Sequence, residues 1–376
     1  MKIVHFLPPL TKGGAEKVAV DLANHAVRQG HEVDIVAAYP VAAELLLHAV
    51  DPQIGVRYVT QNPSRFAKYA ALARWLVSNR EWLLSRDIIH CHLTFAALAG
   101  SVITMLRRFS GRDRPIVVET YHAVGMPTPG PKRRLAALLA RGRDGLVLMA
   151  DDDYWRRFRG QHPKLRVRTI PNGIVLPSNL PPAKEVAAYK ASVGIPSDAP
   201  VVGTVGRLVP GRMPLRMIEI FAEIDRLGRS DVHFFIGGEG ALADAARDRA
   251  AALGIGDRVH LPGLVERPLP AFGMIDIYIS INVGPITGIA GLEAAALPKP
   301  VIALQARAGH KMGPQDWIWS NPDPAKVAAE AVRLLGAPEC RDHLARRQAD
   351  RVRTEHSVDA MAAAYEAFYA ECLEAI

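Results

Sequence analysis

The sequence predicts an α/β protein built from two halves, each with a doubly wound parallel sheet. Two segments about 190 residues apart each give an apolar strand, a glycine turn and a helix, and a strand–helix alternation follows both. They read MKIVHFLPPLTKGGAEKVAVDLANHAVRQGHEVDIVAAY and APVVGTVGRLVPGRMPLRMIEIFAEI. Because a helix start presents unpaired N–H groups and a positive dipole end, both turns are suited to hold phosphate.

The first half alternates strands and helices along its whole length. Its opening strand gives way to Pro8, Pro9, Gly13 and Gly14, and Gly30 is expected to end the helix that follows. Predicted strands follow at 33–38, 56–60, 88–92, 116–120, 146–149 and 167–170, with predicted helices at 42–50, 65–79 and 95–109. Right-handed crossovers would join these strands into one parallel sheet.

A proline-rich stretch marks the boundary between the halves. We predict an N-terminal domain over 1–175, a linker over 176–198, a second domain over 199–355, and a C-terminal segment over 356–376 whose helix packs back on the first domain. The second half is predicted to have strands at 201–205, 233–236, 259–261, 275–279 and 301–304, and the final helix at 358–374.

Composition narrows the class of protein. The 376 residues suit two cores rather than one. The three cysteines, Cys91, Cys340 and Cys372, have no pairing pattern, which favours reduced thiols. The N-terminus does not resemble a signal peptide and no apolar run approaches the length of a membrane span. We therefore expect a cytoplasmic protein.

The net charge of +8 is concentrated in the first half. Residues 1–176 hold 25 Lys and Arg against 14 Asp and Glu, so the remainder holds 21 against 24. Solvated helix faces would explain this excess. A cationic binding surface would explain it equally. Such a surface could hold an acidic acceptor, or it could hold the protein peripherally on an anionic leaflet at the inner face of the plasma membrane. Nucleic acid is not expected, because no recognised nucleic-acid-binding motif is present.

Seven motifs, taken in order, resemble the family 4 retaining glycosyltransferases of the GT-B fold. They read GGAEKVAVDLANHAVRQGHEV, ETYHAVG, IPNGI, VGRLVPGR, IGGEG, LPGLV and GLEAAALPKPVIA. Each is weak alone, but the ordered set covers nearly the whole chain. The resemblance implies two Rossmann-like domains that face a cleft, a nucleotide-sugar donor, a glycan or lipid-linked acceptor, and no metal or other cofactor.

The resemblance also implies roles for individual residues. It implies catalytic roles for His122, Arg207 and Arg212, with both arginines on the donor diphosphate and the histidine on the sugar. The implied donor-binding residues are Gly13, Gly14, Gly206, Gly238, Leu264, Gly288 and Glu293, and the acceptor-side residues are Glu16 and His92. The chemistry agrees, because a diphosphate needs N–H groups and cations.

Simpler interpretations stay open for these residues. The arginines could form surface ion pairs, Glu293 could be a helix N-terminal charge favoured by the dipole, and His122 could be a packed or solvated histidine. His90, Cys91 and His92 could suggest a metal site, but the resemblance implies a strand end near the acceptor instead.

The chain departs from the family pattern at several positions. Pro285 replaces the first glutamate of the E-x7-E motif, which we expect to change sugar selection or weaken turnover. Arg212 replaces a lysine, keeping the charge but presenting a planar fork. Pro298 replaces a glycine, and Asp151–Asp153, where a serine is common, is interpreted as a helix N-terminus.

The leading hypothesis is a retaining hexosyltransferase in bacterial cell-surface polysaccharide or lipopolysaccharide synthesis. The resemblance implies a front-face route, in which the leaving phosphate helps to deprotonate the acceptor. Two alternatives stay open: a non-catalytic nucleotide-sugar-binding member, and a GT-B nucleotide-sugar epimerase or hydrolase. The sequence leaves the base, for which UDP is one candidate, the sugar, the acceptor and the oligomeric state undetermined.

Overall fold

The computed structural model describes residues 1–11, 13–41, 46–62, 64, 67–122, 130–150, 153–280, 288–304, 318–320 and 323–375. The chain divides into two compact units. Unit 1 combines Met1–Val175 with Ser357–Ile376, and unit 2 is Leu176–His356. No helix within the described ranges has both the length and the apolar character needed to cross a membrane.

Unit 1 is built on a parallel sheet. Its described strands are β1 (Lys2–Leu7), β2 (Glu32–Ala37), β3 (Gly55–Tyr58), β4 (Ile88–His92), β5 (Ile116–Tyr121), β6 (Gly145–Leu148) and β7 (Arg166–Thr169). Their order is β3-β2-β1-β4-β5-β6-β7, with every pair parallel. The chain reverses direction across the sheet between β1 and β4, which is where doubly wound sheets bind ligands.

Helices cover both faces of this sheet. They are α1 (Gly14–Arg28), α2 (Ala67–Ser78), α3 (Arg80–Leu84), α4 (Leu93–Ser110), α5 (Gly130–Ala140), α6 (Asp153–Gln161) and, from the end of the chain, α14 (Val358–Leu373). Gly30 adopts φ +80° just after α1, a conformation that favours glycine. Asp153 opens α6, whereas Asp151 and Asp152 lie outside the described residues.

The two faces of the central strands differ in chemistry. Phe6 and Cys91 lie in an apolar cluster with residues of α2 and α4, such as Leu72 and Phe95. The alternate positions include His5 on β1 and His90 and His92 on β4. Because successive strand residues point to opposite faces, the histidines lie on the other side of the sheet, where α14 packs.

The C-terminal helix belongs to unit 1. Ser357 caps its N-terminus, with a hydroxyl that accepts the Ala360 N–H at 3.2 Å, and the helix packs against α1 and β5. Tyr365, Phe368 and Tyr369 are buried. Gly145 leaves room for the Phe368 ring, since a Cβ built there would lie 2.8 Å from it.

Unit 2 has a second parallel sheet. Its described strands are β8 (Val201–Val205), β9 (His233–Gly237), β10 (Val259–Gly263), β11 (Ile277–Ser280), β12 (Val301–Leu304) and β13 (Ile318–Ser320), in the order β10-β9-β8-β11-β12-β13. Its helices are α7 (Ala183–Ser192), α8 (Pro214–Arg226), α9 (Ala243–Ala252), α10 (Pro268–Met274), α11 (Ile289–Ala296), α12 (Pro324–Leu335) and α13 (Pro338–Glu355). Phe221 and Phe234 stack in its core, with ring centroids 4.5 Å apart.

Some elements differ from the sequence-based expectations. The segment 176–198, expected as a linker, contains α7, which packs on α10 within unit 2. Strand β13 was not predicted. Of the helix expected over 42–50, the described part is a short 3-10 helix, Leu47–Ala49, and residues 42–45 lie outside the description.

Candidate functional site

The turn after β8 is fixed by the loop after β9. The Gly206 N–H donates to the Gly237 carbonyl at 2.9 Å, and the Leu208 N–H donates to the Glu239 carbonyl at 2.8 Å. The Leu242 N–H donates back to the Leu208 carbonyl at 3.0 Å. These bonds hold two glycine-rich loops together at the carboxyl edge of the unit 2 sheet.

Two glycines make this approach possible. A Cβ on Gly238 would lie 2.0 Å from the Gly206 carbonyl oxygen, and one on Gly240 would lie 2.2 Å from the Leu208 carbonyl oxygen. Their φ angles are +154° and +157°. A larger residue at either position would therefore push the two loops apart.

Arg207 and Arg212 lie in and just after the β8 turn. Arg207 is exposed, whereas Arg212 is half-buried at the end of a 3-10 helix, Pro210–Arg212. Burial, and then the charge of Arg207, lowers the pKa of Arg212. In the part of the chain that the structure describes, neither guanidinium forms an ion pair with a carboxylate. Two neighbouring cations without a counter-charge are suited to an anionic ligand.

Tyr278 on β11 supports the same turn. Its buried hydroxyl accepts the Val205 N–H at 3.2 Å and donates to the Val205 carbonyl at 3.1 Å. Burial, with the nearby charge of Glu293, raises the pKa of this phenol, so the hydroxyl keeps its proton. Tyr278 lies in none of the sequence motifs. The available signal was a tyrosine between Ile277 and Ile279, in the strand that pairs with β8.

Gly288 and Glu293 lie at and within helix α11. Gly288 is the residue just before the helix, and Glu293 lies in its second turn. The interpretation of Glu293 as a helix N-terminal charge favoured by the dipole is therefore wrong, because the helix begins four residues earlier. Pro285 lies outside the described residues.

Leu264 completes the edge of the unit 2 sheet. It directly follows β10 and is exposed. The glycine before it, Gly263, has φ +90°, and a Cβ there would lie 3.7 Å from the Glu239 side chain. The segments after β8, β9 and β10 and the start of α11 therefore share the carboxyl edge of the sheet, beside the reversal point between β8 and β11.

In unit 1 the loop after β1 contacts the first turn of α1. The Glu16 carboxylate folds over Gly13, where a Cβ would lie 2.0 Å from Oε2, and it accepts a hydrogen bond from the Thr11 hydroxyl at 3.2 Å. Glu16 is buried in the first turn of α1, which begins at Gly14. Its acceptor-side role stays a prediction.

His122, His92 and His5 form a chain of hydrogen-bonded imidazoles. His122 Nε2 lies 3.1 Å from His92 Nδ1, and His92 Nε2 lies 3.2 Å from His5 Nδ1. His5 and His92 are buried, and His122 is half-buried. Burial lowers the pKa of both His5 and His122 to about 4 and that of His92 well below its usual range. All three rings are therefore neutral near pH 7, so each carries one N–H, and the two hydrogen bonds of the chain run in the same direction.

A second branch joins this cluster to the C-terminal helix. His90 Nδ1 lies 2.7 Å from the Tyr369 hydroxyl, and His90 Nε2 lies 2.7 Å from the Thr120 hydroxyl. Thr120 in turn lies 2.9 Å from the Tyr365 hydroxyl. The strand ends of β4 and β5 are therefore tied to α14 through buried polar groups.

Three of these histidines are close enough to bind a metal. His5, His90 and His92 have ring nitrogens within 4.8 Å of one another. Both nitrogens of His90 and both of His92 already take part in hydrogen bonds. A metal ion would have to break those bonds, so the observed arrangement is that of a hydrogen-bonded network.

Comparison with known proteins identifies the family. A family model described as Glycosyltransferase Family 4 matches residues 12–176, and one described as Glycosyl transferases group 1 matches residues 199–337. Together the two models cover most of the chain. The chain belongs to the group 1, family 4-like GT-B glycosyltransferases. The expected family and fold class are confirmed.

Curated relatives of this glycosyltransferase are distant. A D-inositol 3-phosphate glycosyltransferase of Geodermatophilus obscurus is 26% identical, over 94% of this chain and 85% of its own. The lipopolysaccharide core biosynthesis glycosyltransferase LpsE of Rhizobium meliloti is 28% identical over 35% of each chain. Among solved structures, Anabaena HepE in complex with UDP and glucose superimposes with a TM-score of 0.80 at 17% identity, covering 99% of this chain and 100% of its own.

The predicted site residues of the glycosyltransferase fall into two groups. Unit 2 brings Gly206, Arg207, Arg212, Gly238, Leu264 and Gly288 to one sheet edge, and Glu293 lies in the second turn of α11. Unit 1 places Gly13, Gly14, Glu16, His92 and His122 around the reversal point between β1 and β4. His92 is fully buried and contacts His122. Its assignment to the acceptor side stays a prediction.

Proposed function

We propose that this glycosyltransferase transfers a hexosyl group from a nucleotide diphosphate sugar to a glycan or lipid-linked acceptor, with retention of the anomeric configuration. The name of the LpsE relative, which refers to a lipopolysaccharide core, supports such an acceptor, whereas the D-inositol 3-phosphate glycosyltransferase name adds a polyol phosphate as a candidate. The HepE complex supports a UDP-sugar as donor. We place the reaction in the synthesis of bacterial cell-surface polysaccharide or lipopolysaccharide.

The pair Arg207 and Arg212 carries this proposal. A diphosphate would supply the counter-charge that the described residues do not. Both cations lie in or just after the Gly206 turn. As the sugar leaves, negative charge grows on the diphosphate, and preorganised cations stabilise that charge more in the transition state than in the ground state. On the front-face route the leaving phosphate then takes the acceptor proton.

We further propose that no metal takes part and that the enzyme works in the cytoplasm, at the inner face of the plasma membrane. The two guanidinium groups would supply the charge that a divalent cation supplies elsewhere. Cys91, Cys340 and Cys372 are all unpaired, which suits a reducing compartment. EDTA should leave turnover unchanged, and a loss restored by added Mg²⁺ or Mn²⁺ would contradict the metal-free assignment.

A thermal-shift screen with UDP-, GDP-, ADP- and TDP-sugars tests the donor. A ligand at 100 times its Kd stabilises the folded state by about 2.7 kcal/mol, so one nucleotide series should raise the melting temperature clearly. Incubation of that donor alone tests the alternatives, because an epimer or free sugar would indicate an epimerase or hydrolase. Binding without transfer to any acceptor in a panel would indicate a non-catalytic member.

Replacing Arg207 tests whether this arginine pair stabilises the diphosphate. Arg207→Ala should lower kcat by about 10²–10³-fold without changing the melting temperature, because the residue is exposed and makes no structural ion pair with the described residues. Arg216→Ala is the matched control, since Arg216 lies on α8 and pairs with Glu219 at 3.1 Å. Turnover at the wild-type rate in the Arg207 variant would contradict the assignment.

A further inference from the structure

Helices α4 and α5 of unit 1 contain no carboxylate. No Asp or Glu occurs from Leu93 to Arg112 or from Gly130 to Arg143. Exposed cations occur along both segments: Arg108, Arg112, Lys132, Arg134 and Arg141. Arg112 pairs with Glu81 at 3.0 Å, whereas the other four form no ion pair with any described residue.

The same helices expose large apolar side chains. On α4, Met105 is 56% exposed and Phe109 is 84% exposed, the largest exposure among the large apolar side chains of the described residues. Val102 lies three residues before Met105 on the same helical face, and Leu138 on α5 is 59% exposed. Apolar side chains grouped beside cations mark an interaction surface.

The topology turns both helices to the same side. Helix α4 connects β4 to β5 and α5 connects β5 to β6, and these three parallel strands are consecutive in the sheet. Successive right-handed crossovers in one direction place their helices on one face, and α4 and α5 are in contact. The histidine network and α14 lie on the opposite face of the sheet.

We propose that the outward faces of α4 and α5 form a docking surface for an anionic phospholipid bilayer. The apolar side chains would enter the headgroup boundary and the surrounding cations would contact lipid phosphates, the combination found in interfacial helices. Charge complementarity favours this occupant, because an anionic bilayer matches two neighbouring helices that expose apolar side chains and cations but contribute no carboxylate. This inference rests on the membrane location in the proposed function but not on the sugar-transfer reaction, so vesicle binding and enzyme turnover are measured separately.

Flotation of the full-length protein with vesicles tests the surface. We expect recovery with phosphatidylcholine containing about one-third phosphatidylglycerol and little with phosphatidylcholine alone, with binding that weakens as salt is raised. Arg108→Gln combined with Arg134→Gln should lower the partition coefficient about 25-fold, about fivefold per cation. Met105→Ser combined with Phe109→Ser should lower it at least tenfold.

Two control variants remove exposed cations, or an exposed apolar side chain, from unit 2 instead. Arg247→Gln combined with Arg353→Gln removes two exposed cations of unit 2, and Leu227→Ser removes a half-exposed apolar residue there. Both should keep wild-type vesicle binding. Equal binding by the α4 variants and these controls would overturn the proposal. So would an absence of wild-type binding, or a dimer in solution that Met105→Ser with Phe109→Ser converts to a monomer.

A fluorescent label detects contact with the vesicle directly, so this second measurement does not depend on a variant that weakens binding. Phe109→Cys in a Cys340→Ser background places an environment-sensitive dye on α4, since Cys91 and Cys372 are buried. Anionic vesicles should shift its emission to the blue, whereas a dye on Leu227→Cys should not respond. No shift at position 109, or an equal shift at 227, would overturn the proposal.

Discussion

Tyr278 shows how one side chain can fix the geometry of a binding turn. Its hydroxyl bonds both backbone groups of Val205, the last residue before Gly206. The phenol is buried, so losing these bonds would leave two backbone groups without their partner away from water. The position of the glycine turn therefore depends on a residue that the motif itself does not contain.

Tyr278→Phe should weaken nucleotide binding while leaving the fold intact. We expect a loss of about 1–3 kcal/mol in the free energy of unfolding, because the Val205 N–H and carbonyl lose their partner. Isothermal titration with UDP should show weaker binding than for the wild type. Tyr189→Phe is the matched control, since Tyr189 packs near Phe235 in the same unit, away from the turn. Wild-type affinity in Tyr278→Phe would contradict this role.

The buried imidazoles should make the stability of unit 1 depend on pH. His5 has a folded-state pKa of about 4 against 6.5 when unfolded, so only the unfolded chain takes up a proton between these values. Stability is therefore full above pH 6.5 and is lost progressively as the pH falls to about 4, by on the order of 3 kcal/mol from His5 alone.

Urea unfolding at a series of pH values measures this loss. His5→Phe should flatten the fall between pH 6.5 and 4, whereas the exposed His48→Gln should not. The tautomer of His122 offers a second readout, because ¹⁵N shifts of its ring should change when His92 is replaced by Phe. An unchanged pH profile in His5→Phe would contradict a neutral, buried ring.

At the scale of elements, the donor-side edge of unit 2 depends on two loops in contact. Neither the β8 turn nor the β9 loop is a regular element, yet three backbone hydrogen bonds join them. At Gly238 the two loops meet backbone to backbone, so no flexible side chain can move aside to relieve a clash. The loops therefore act as one rigid piece.

Gly238→Ala should separate the loops. The added methyl group would lie 2.0 Å from the Gly206 carbonyl oxygen, so we expect a loss of about 1–3 kcal/mol in stability and a clear loss of UDP affinity. Gly211→Ala is the control in the same region, because nothing lies within 4 Å of its added Cβ. Equal UDP affinity in the two variants would show that the loop contact is unimportant.

At the scale of the whole molecule, the chain forms two compact units, and its last helix belongs to the first. Phe368, fully buried against Gly145, joins α14 to the unit 1 core. Phe221 has the corresponding place in unit 2, stacked on Phe234. Each unit therefore has a core aromatic whose removal tests it separately.

Phe368→Ala should destabilise unit 1 by about 3–5 kcal/mol, and Phe221→Ala should do the same to unit 2. Hydrogen exchange measures the effect by element. The first variant should lose protection at β5 and α14 while β8 and β9 keep theirs, and the second should show the reverse. UDP should add protection in unit 2. Loss of protection throughout both units in either variant would contradict separate cooperative units.

Local patterns predicted most of the fold. Strands β8 and β12 match their predicted ranges, because each is a short buried run rich in β-branched residues that directly follows a proline. Strand β13 and helix α7 were missed, since a three-residue strand has no period and α7 has a mostly exposed, weakly amphipathic sequence. Glu293 was misplaced because the Gly288 boundary of α11 lacks a side-chain cap signal.

The sequence by itself determined the family, the two parallel sheets and the candidate arginines, because ordered glycine turns and apolar periods are local properties of the chain. Only the tertiary structure decided that His5, His92 and His122 form one chain, that Tyr278 holds the β8 turn, and that α4 and α5, which contain no carboxylate, lie side by side. These features join residues up to about 120 positions apart, and such pairings follow from strand order and crossover handedness rather than from any local pattern.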